Sequence, residues 1–433
     1  MTKDRIAVGI DVGTSKIVTL IGKIASDVPL NIVGVSEVAA RGMRKGQIVD
    51  IDEAMASINS SLESAERMAG ISISNSFLSI GGAHIESQNS RGVVAVADPD
   101  REITQEDVRR VLEAARAISL ASSREILHVV PRGYVVDGEE GVKDPVGMTG
   151  IRLEVDTHIV TANSTSVRNL VKAASEVGVH VQGVVFGGFA SSLAILSETE
   201  KELGVVLVDI GAGTTDICIF IEGALSYSAV LPIGARHITN DLAIGLRVSL
   251  ESAEKIKLYL SRKREKKLLL PEELESGDKK SHAESDEIDL KELHLIEDVK
   301  KVSKKTLIDG IIKPRLNEIF TMIGLEIKRS GFGGQTPAGI VVTGGGAETV
   351  SLVESAKRML SMPVRIGTPG EMSGLIDEIQ TSAFATAIGL LHFAKKEDVK
   401  ASFGGFSLPS LPGNLPIKKI GSKAIDFVKS FLP

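Results

Sequence analysis

Asp209 closes an apolar run, Val205–Ile210, and is followed by Gly211-Ala-Gly-Thr-Thr215 and a second apolar run ending at Ile221. The spacing predicts a β-hairpin whose Gly/Thr turn, through Gly211, Gly213, Thr214 and Thr215, aims successive backbone N–H groups into one concavity. Such a concavity holds a phosphate, and glycine leaves room for it. A carboxylate beside phosphate is repulsive unless a hard cation lies between them, so Asp209 predicts a hydrated Mg²⁺ held through water. A lone Gly-x-Gly turn is more often a turn and nothing else.

A second copy changes that balance. Val8-Gly-Ile-Asp11-Val-Gly13-Thr14-Ser15-Lys16-Ile17 repeats the order strand, Asp, small apolar residue, Gly, hydroxyls, strand. Two such hairpins about 200 residues apart imply two similar domains facing one another across a polyphosphate, with Asp11 and Asp209 sharing the cation. A third turn, Gly344-Gly345-Gly346, again follows an apolar strand, and its bare backbone suits a flat base or ribose.

These three motifs resemble the phosphate-1, phosphate-2 and adenosine motifs of the actin, sugar-kinase and DnaK-type chaperone superfamily. Within it the chain is most similar to the FtsA family of bacterial cell-division proteins. The similarity runs nearly end to end and includes Gly42-Met-Arg-Lys-Gly-Gln-Ile-Val-Asp50, Ser252-Ala-Glu-Lys-Ile-Lys257 and an amphipathic C-terminal tail. The resemblance implies an α/β, actin-like two-lobed fold with duplicated ribonuclease-H-like domains, a small α+β inserted domain and a C-terminal amphipathic helix. The implied divisions are 1–82 with 164–200 and 382–396, the insert 83–163, then 201–242 with 336–381, and 243–335. A linker, 397–414, and an anchor helix, 415–433, follow.

It also implies ATP and Mg²⁺ as ligands, with at most slow hydrolysis. The implied partners are the FtsZ C-terminal peptide, further copies of the chain in a filament, anionic membrane lipid, and later division proteins through the insert. Glu254 and Lys257 match residues that reach the adenosine ribose in relatives, although a bare E-x-x-K spacing is ordinarily an ion pair on one helix face. Arg315, in Lys313-Pro-Arg-Leu-Asn-Glu318, matches the segment that receives the FtsZ peptide. Gly187 stands where kinases and chaperones carry an acid that positions water or a sugar hydroxyl. General-base help is worth about 10²–10⁴ in rate, so its absence implies slow hydrolysis and opposes sugar transfer. A pilus-assembly protein resembling PilM and a small-molecule kinase are the alternative readings.

Composition sets outer bounds. The 433 residues can form two to four domains, each with its own core. A net charge of −6, 3% aromatics and no tryptophan oppose general nucleic-acid binding. The single cysteine, Cys218, excludes an internal disulfide. Met1-Thr-Lys-Asp-Arg5 leads into a strand without an apolar signal core, so a cytosolic chain is expected, and the resemblance implies the cytoplasmic face of the cell membrane, at the division site.

The elements that must position the motifs follow from pattern. Strands are expected at Arg5–Val12, 17–24 and 31–38, then a helix capped by Asp52 and stopped by Gly70. Thr104-Gln-Glu-Asp107 has the form of a capping box opening the helix of the insert. Small-residue helices at 187–196 and 381–393 should connect the lobes. Residues 272–298 hold eleven acids against three lysines, and 262–305 reads as a solvated loop. In the tail, Ile417, Ile420, Phe427, Val428 and Phe431 follow helical spacing, flanked by Lys418, Lys419 and Lys423, the pattern of a helix lying in a membrane interface. One copy should bind lipid weakly, and a polymer presenting many should bind firmly.

Overall fold

The computed structural model describes residues 5–25, 28–97, 102–268, 286–297, 301–370, 372–375 and 379–402. The chain opens with β1 (Arg5–Val12), β2 (Lys16–Ile24) and β3 (Leu30–Ala39), paired antiparallel in that order, with Asp11 opposite Val18. A short hairpin follows, β4 (Met43–Arg44) and β5 (Gln47–Ile48), then α1 (Ile51–Ala69) and β6 (Asn75–Ile80), which lies parallel to β1. The cap of α1 is Asp50 rather than the expected Asp52. Its carboxylate accepts from the amides of Asp52 and Glu53, so Asp52 falls inside the first turn. Gly70, in the left-handed region, ends the helix as its sequence position suggests.

The insert comprises β7 (Glu86–Ala95), α2 (Gln105–Arg116), β8 (Arg124–Val136), β9 (Glu139–Val142) and β10 (Arg152–Asn163). Its sheet runs β7-β10-β8-β9, and the Thr104–Asp107 capping box opens α2. Ile103, Val111, Leu153 and Val155 form its own small core. Leu127, Val160 and Ala162, however, join the core of the first lobe.

The chain returns through α3 (Ser164–Glu176), β11 (His180–Phe186), parallel to β6, and α4 (Gly187–Ile195). The second lobe begins with α5 (Glu198–Leu203), β12 (Val205–Ile210), β13 (Thr215–Ile221) and β14 (Ala224–Leu231). Next come α6 (Ala235–Leu246), α7 (Leu250–Leu268), β15 (Glu287–Asp289), β16 (Lys301–Ser303), α8 (Lys304–Leu307) and α9 (Lys313–Arg329). The lobe is completed by β17 (Ile340–Thr343), α10 (Leu352–Leu360) and β18 (Val364–Ile366). Then β19 (Met372–Gly374) adds an edge to the first sheet, and α11 (Ala385–Ser402) packs across it.

Two strand orders match. The first sheet contains β3-β2-β1-β6-β11 and the second is β14-β13-β12-β17-β18, each an antiparallel hairpin continued by parallel strands. The central strands are apolar almost continuously because helices cover both faces: Ile10, Leu20, Val206 and Val208 are all fully buried. Helices α4 and α11 cross so closely that a Cβ on Gly389 would lie 1.9 Å from the Ala190 carbonyl oxygen, which excludes any larger residue there.

Two expected loops are partly regular. The 262–305 stretch is helical through Leu268, and β15 pairs with β16 because Ile288 and Leu290 bury themselves in the second-lobe core. Helix α11 continues to Ser402, six residues into the expected linker. The rest of that linker and the expected anchor helix, 415–433, lie outside the described residues. No helix among the described residues is long and apolar enough to cross a membrane.

Candidate functional site

Both expected hairpin turns form, and their tips meet. In the first, the Gly13 N–H donates to the Lys16 carbonyl at 3.0 Å; in the second, the Gly211 N–H donates to the Thr214 carbonyl at 2.9 Å. A Cβ on Gly213 would lie 2.9 Å from Oγ1 of Thr14, so glycine is what permits the two lobes to approach at this point. Ser15, beside Thr14, is exposed at the first turn.

Each hairpin holds an aspartate at its strand end with hydroxyls from a neighbouring element. The Ser79 hydroxyl, on β6, donates to Asp11 Oδ1 at 2.6 Å and accepts the Val12 N–H. The Ser191 hydroxyl, on α4, donates to Asp209 Oδ2 at 2.5 Å, and Thr386, on α11, donates to the same oxygen at 3.2 Å. The small residues of the two connecting helices therefore serve the site directly, a role their sequence pattern did not disclose.

A third carboxylate completes the cluster. Asp216 pairs with Asp209 across the β12–β13 ladder, and both are buried. Oδ1 of Asp216 has no hydrogen-bond partner. Burial, reinforced by the charges of Asp209 and Asp11, pushes the Asp216 carboxyl well above the usual carboxylate range. Burial and the Asp11 charge push Asp209 up to about 6, and burial raises Asp11 against the pull of Ser79 and Lys16. Sequence reasoning missed Asp216. The signal was available, because a turn closed by Ile210 and Thr215 places an acid directly opposite Asp209, a pairing that ordinarily destabilises a sheet.

Asp216 also explains Gly187 and Gly188. A Cβ on Gly187 would sit 3.0 Å from Asp216 Oδ2, and one on Gly188 would sit 3.0 Å from the Asp216 Cβ. Asp216 thus brings a carboxylate from β13 up against position 187.

The Gly344-Gly345-Gly346 turn lies beside this cluster. Gly344 has φ 84°, and a Cβ there would fall 2.2 Å from Asp209 Oδ1. Gly346 is pressed against Ile210, whereas a Cβ on Gly345 would meet nothing closer than Ala383 at 4.0 Å. Gly345 thus faces open space.

The remaining expected site residues are otherwise engaged. Lys16 Nζ bonds Glu37 at 2.7 Å and lies 4.3 Å from the centre of the Phe384 ring. Thr215 is fully buried and donates its hydroxyl to the Ile233 carbonyl, so it serves the sheet and not the mouth of the turn. Glu254 and buried Lys257 pair at 2.8 Å, and both bond the Thr239 hydroxyl on α6. Arg315 forms a two-pronged pair with Asp241, at 2.6 and 2.9 Å, and a further bond to Glu318, so its guanidinium braces the α6–α9 contact.

The residues present fit a hydrated divalent cation. The charges of Asp11, Asp209 and Asp216 act on one another and one buried Asp216 oxygen is orphaned, while among the described residues no group of three or more His, Cys, Asp or Glu side chains could hold a metal ion. Contact through water is what such a set allows.

Family models match two stretches: "SHS2 domain inserted in FTSA" over residues 82–161 and "Cell division protein FtsA" over 206–389. Cell division protein FtsA of Pseudomonas aeruginosa is 36% identical over 419 residues, covering 95% of each chain. The chain belongs to the FtsA family. FtsA of Borreliella burgdorferi is 39% identical over 390 residues, 90% of this chain and 91% of that one. Solved structures extend the fold likeness beyond FtsA. A "PilM-PilN type IV pilus biogenesis complex" chain matches with TM-score 0.62 at 15% identity, covering 91% of this chain and 99% of that one. MreB5 of Spiroplasma citri bound to ADP matches with TM-score 0.53 at 13% identity, covering 93% and 99%. The fold is actin-like and the role lies in cell division. The pilus-assembly alternative shares the fold, but sequence kinship over nearly the whole chain is with FtsA.

Proposed function

We infer that this FtsA-family chain binds ATP, polymerises on the cytoplasmic face of the cell membrane at the division site and anchors FtsZ polymers there. The observation that carries the reading is the convergence of two aspartate-bearing turns and one open glycine turn on three carboxylates, of which Asp209 and Asp216 are buried. Backbone N–H groups of Thr14, Ser15 and Ala212–Thr214 would receive phosphates, and Gly344–Gly346 the adenosine. Asp11, Asp209 and Asp216 would hold Mg²⁺ through water. The bound cation supplies positive charge between carboxylate and phosphate. Asp216, in the space left by Gly187, is the group placed to orient a water, and hydrolysis is slow or regulatory.

The lysine-edged tail attaches the polymer to anionic lipid, the second lobe receives the FtsZ C-terminal peptide, and the insert meets later division proteins. The test is electron microscopy of the full chain on anionic lipid monolayers with Mg-ATP, beside a direct nucleotide-binding titration. Lipid-bound filaments that require ATP are expected. Failure to bind Mg-ATP would overturn the reading.

A further inference from the structure

The segment Gly42-Met-Arg-Lys-Gly-Gln-Ile-Val-Asp50 folds as the β4–β5 hairpin. Its base is held by the Gly42 carbonyl, which accepts from Val49 and Asp50 at 2.8 and 3.1 Å. Asp50 then caps α1, and Met43 and Ile48 pack on the first-lobe core. The hairpin is therefore a fixed arm and not a free loop.

Its tip enters the site. Lys45 and Gly46 both take positive φ, 49° and 76°, as a tight two-residue turn requires. The Gly46 N–H donates to Thr14 Oγ1 at 2.9 Å, which makes that oxygen an acceptor and leaves the hydroxyl proton for another partner. A Cβ on Gly213, across the cleft, would lie 3.2 Å from the Lys45 Cα. A Cβ on Gly46 would lie 2.8 Å from the Gly82 nitrogen, and neighbouring Gly81 faces Asp216 Oδ2. Lys45 is thus wedged between the tips of both hairpin turns, with Gly46 and Gly81 between it and Asp216 of the carboxylate cluster. Its side chain is exposed and forms no hydrogen bond or ion pair among the described residues, whereas Lys16 is taken by Glu37.

Direction along the site follows from the two glycine contacts. Gly344 abuts Asp209 and Ile210, the last residues of β12 before the second turn, while Lys45 abuts Gly213 at the tip of that turn. A nucleotide with its base on the first would extend its phosphates toward the second. We propose that Lys45 is the cation that meets the outermost phosphate of a nucleoside triphosphate, so that the β4–β5 arm distinguishes triphosphate from diphosphate. This rests on the nucleotide reading above and adds a selectivity residue to it. An ammonium on a flexible stem is suited to that contact, being a point charge that tolerates several approach angles.

The test compares Mg-ATP and Mg-ADP affinities of the full chain by titration calorimetry. Lys45→Asn keeps a residue that accepts positive φ and removes the charge; Lys45→Arg keeps the charge. Arg44→Gln removes a neighbouring exposed charge as a control. In K45N, ATP affinity is expected to fall about tenfold and ADP affinity less than about twofold, with K45R close to the parent and R44Q unchanged in the ratio. Equal effects on both nucleotides, or an R44Q change as large as that of K45N, would overturn the assignment while leaving the nucleotide site intact. A parent chain that binds neither nucleotide would remove the site and this assignment with it.

Discussion

Asp209 and Asp216 face one another across β12 and β13, two carboxylates paired in one buried ladder. In a sheet without a ligand this arrangement opposes folding, because each charge is desolvated and repels the other. The sign follows from the direction of the shift. Asp209 is raised from 3.8 to about 6, so through that window the folded chain keeps a proton the unfolded chain has released. This group's contribution is complete below the unfolded value and is lost as pH rises past about 6. Asp209→Asn should therefore stabilise the ligand-free protein at neutral pH by on the order of 1–3 kcal/mol while weakening Mg-ATP binding. Thermal melts at two pH values, with and without Mg-ATP, check both halves. An Asn variant that melts lower than the parent at pH 7.5 would contradict the account.

Adjacent glycines should separate folding from binding. Gly344→Ala places a methyl against Asp209 and forces a non-glycine residue to φ 84°. A loss of roughly 1–3 kcal/mol in stability is expected from the backbone alone. Gly345→Ala meets open space. It should fold like the parent yet lose ATP affinity, because the added methyl occupies the face on which adenosine would lie. Melting midpoint and nucleotide affinity measured on both variants test the pair, and unchanged affinity in G345A would move the adenosine elsewhere.

What the sequence could and could not disclose divides along distance in the chain. The hairpins, the Gly70 stop and the Thr104 capping box depend on neighbours within a few residues, and composition alone exposes them. Asp50 displaced Asp52 as cap by only two positions, since both are acids before an apolar run and only backbone geometry separates them. Asp216 was visible only by writing out the register of the hairpin. The partners of Ser191 and Arg315 are 18 and 74 residues away, set by packing of separate elements, and no local pattern encodes them. The amphipathic spacing at Ile288 and Leu290 was masked by the acids around it.

The insert, expected at residues 83–163, is coupled to both lobes. His128 Nε2 accepts the Phe186 N–H, and His158 bridges Asn89 and Ser228 at 2.7 and 2.9 Å. Ser87 and Arg132 add further bonds to β14. Deleting the insert would strip Leu127, Val160 and Ala162 from the first-lobe core, so that truncation should unfold the first lobe. A gentler change, Ser228→Ala, should leave ATP affinity within about twofold while raising amide exchange along β7 and β10, since it removes one of two partners from a buried imidazole. Hydrogen exchange reads this directly, and unaltered protection would show that the contact adds nothing to docking.

Arg315 offers a test that separates structure from recognition. Because its guanidinium is bound bidentately to Asp241, Arg315→Ala and Asp241→Asn should destabilise the second lobe by similar amounts, about 1–2 kcal/mol. If FtsZ-peptide affinity falls in both variants alike, the pair acts by holding α9 against α6. A drop confined to the arginine variant would restore it as a direct contact.

The tail supplies the last expectation. Its apolar positions from Ile417 to Phe431 are interspersed with lysines, the sequence pattern of a helix that would lie in a membrane interface. Removing residues 415–433 should release the protein from anionic liposomes without changing ATP affinity, because the three turns lie wholly within the two lobes. Replacing Lys418, Lys419 and Lys423 by glutamine should weaken binding to anionic vesicles by up to about 1 kcal/mol per lysine and leave binding to neutral vesicles almost unchanged. Dilution should release the full chain more readily without ATP than with it, since only a polymer presents many tails at once. Co-sedimentation across these conditions measures each term, and equal retention of the truncated chain would place the membrane contact on the folded lobes instead.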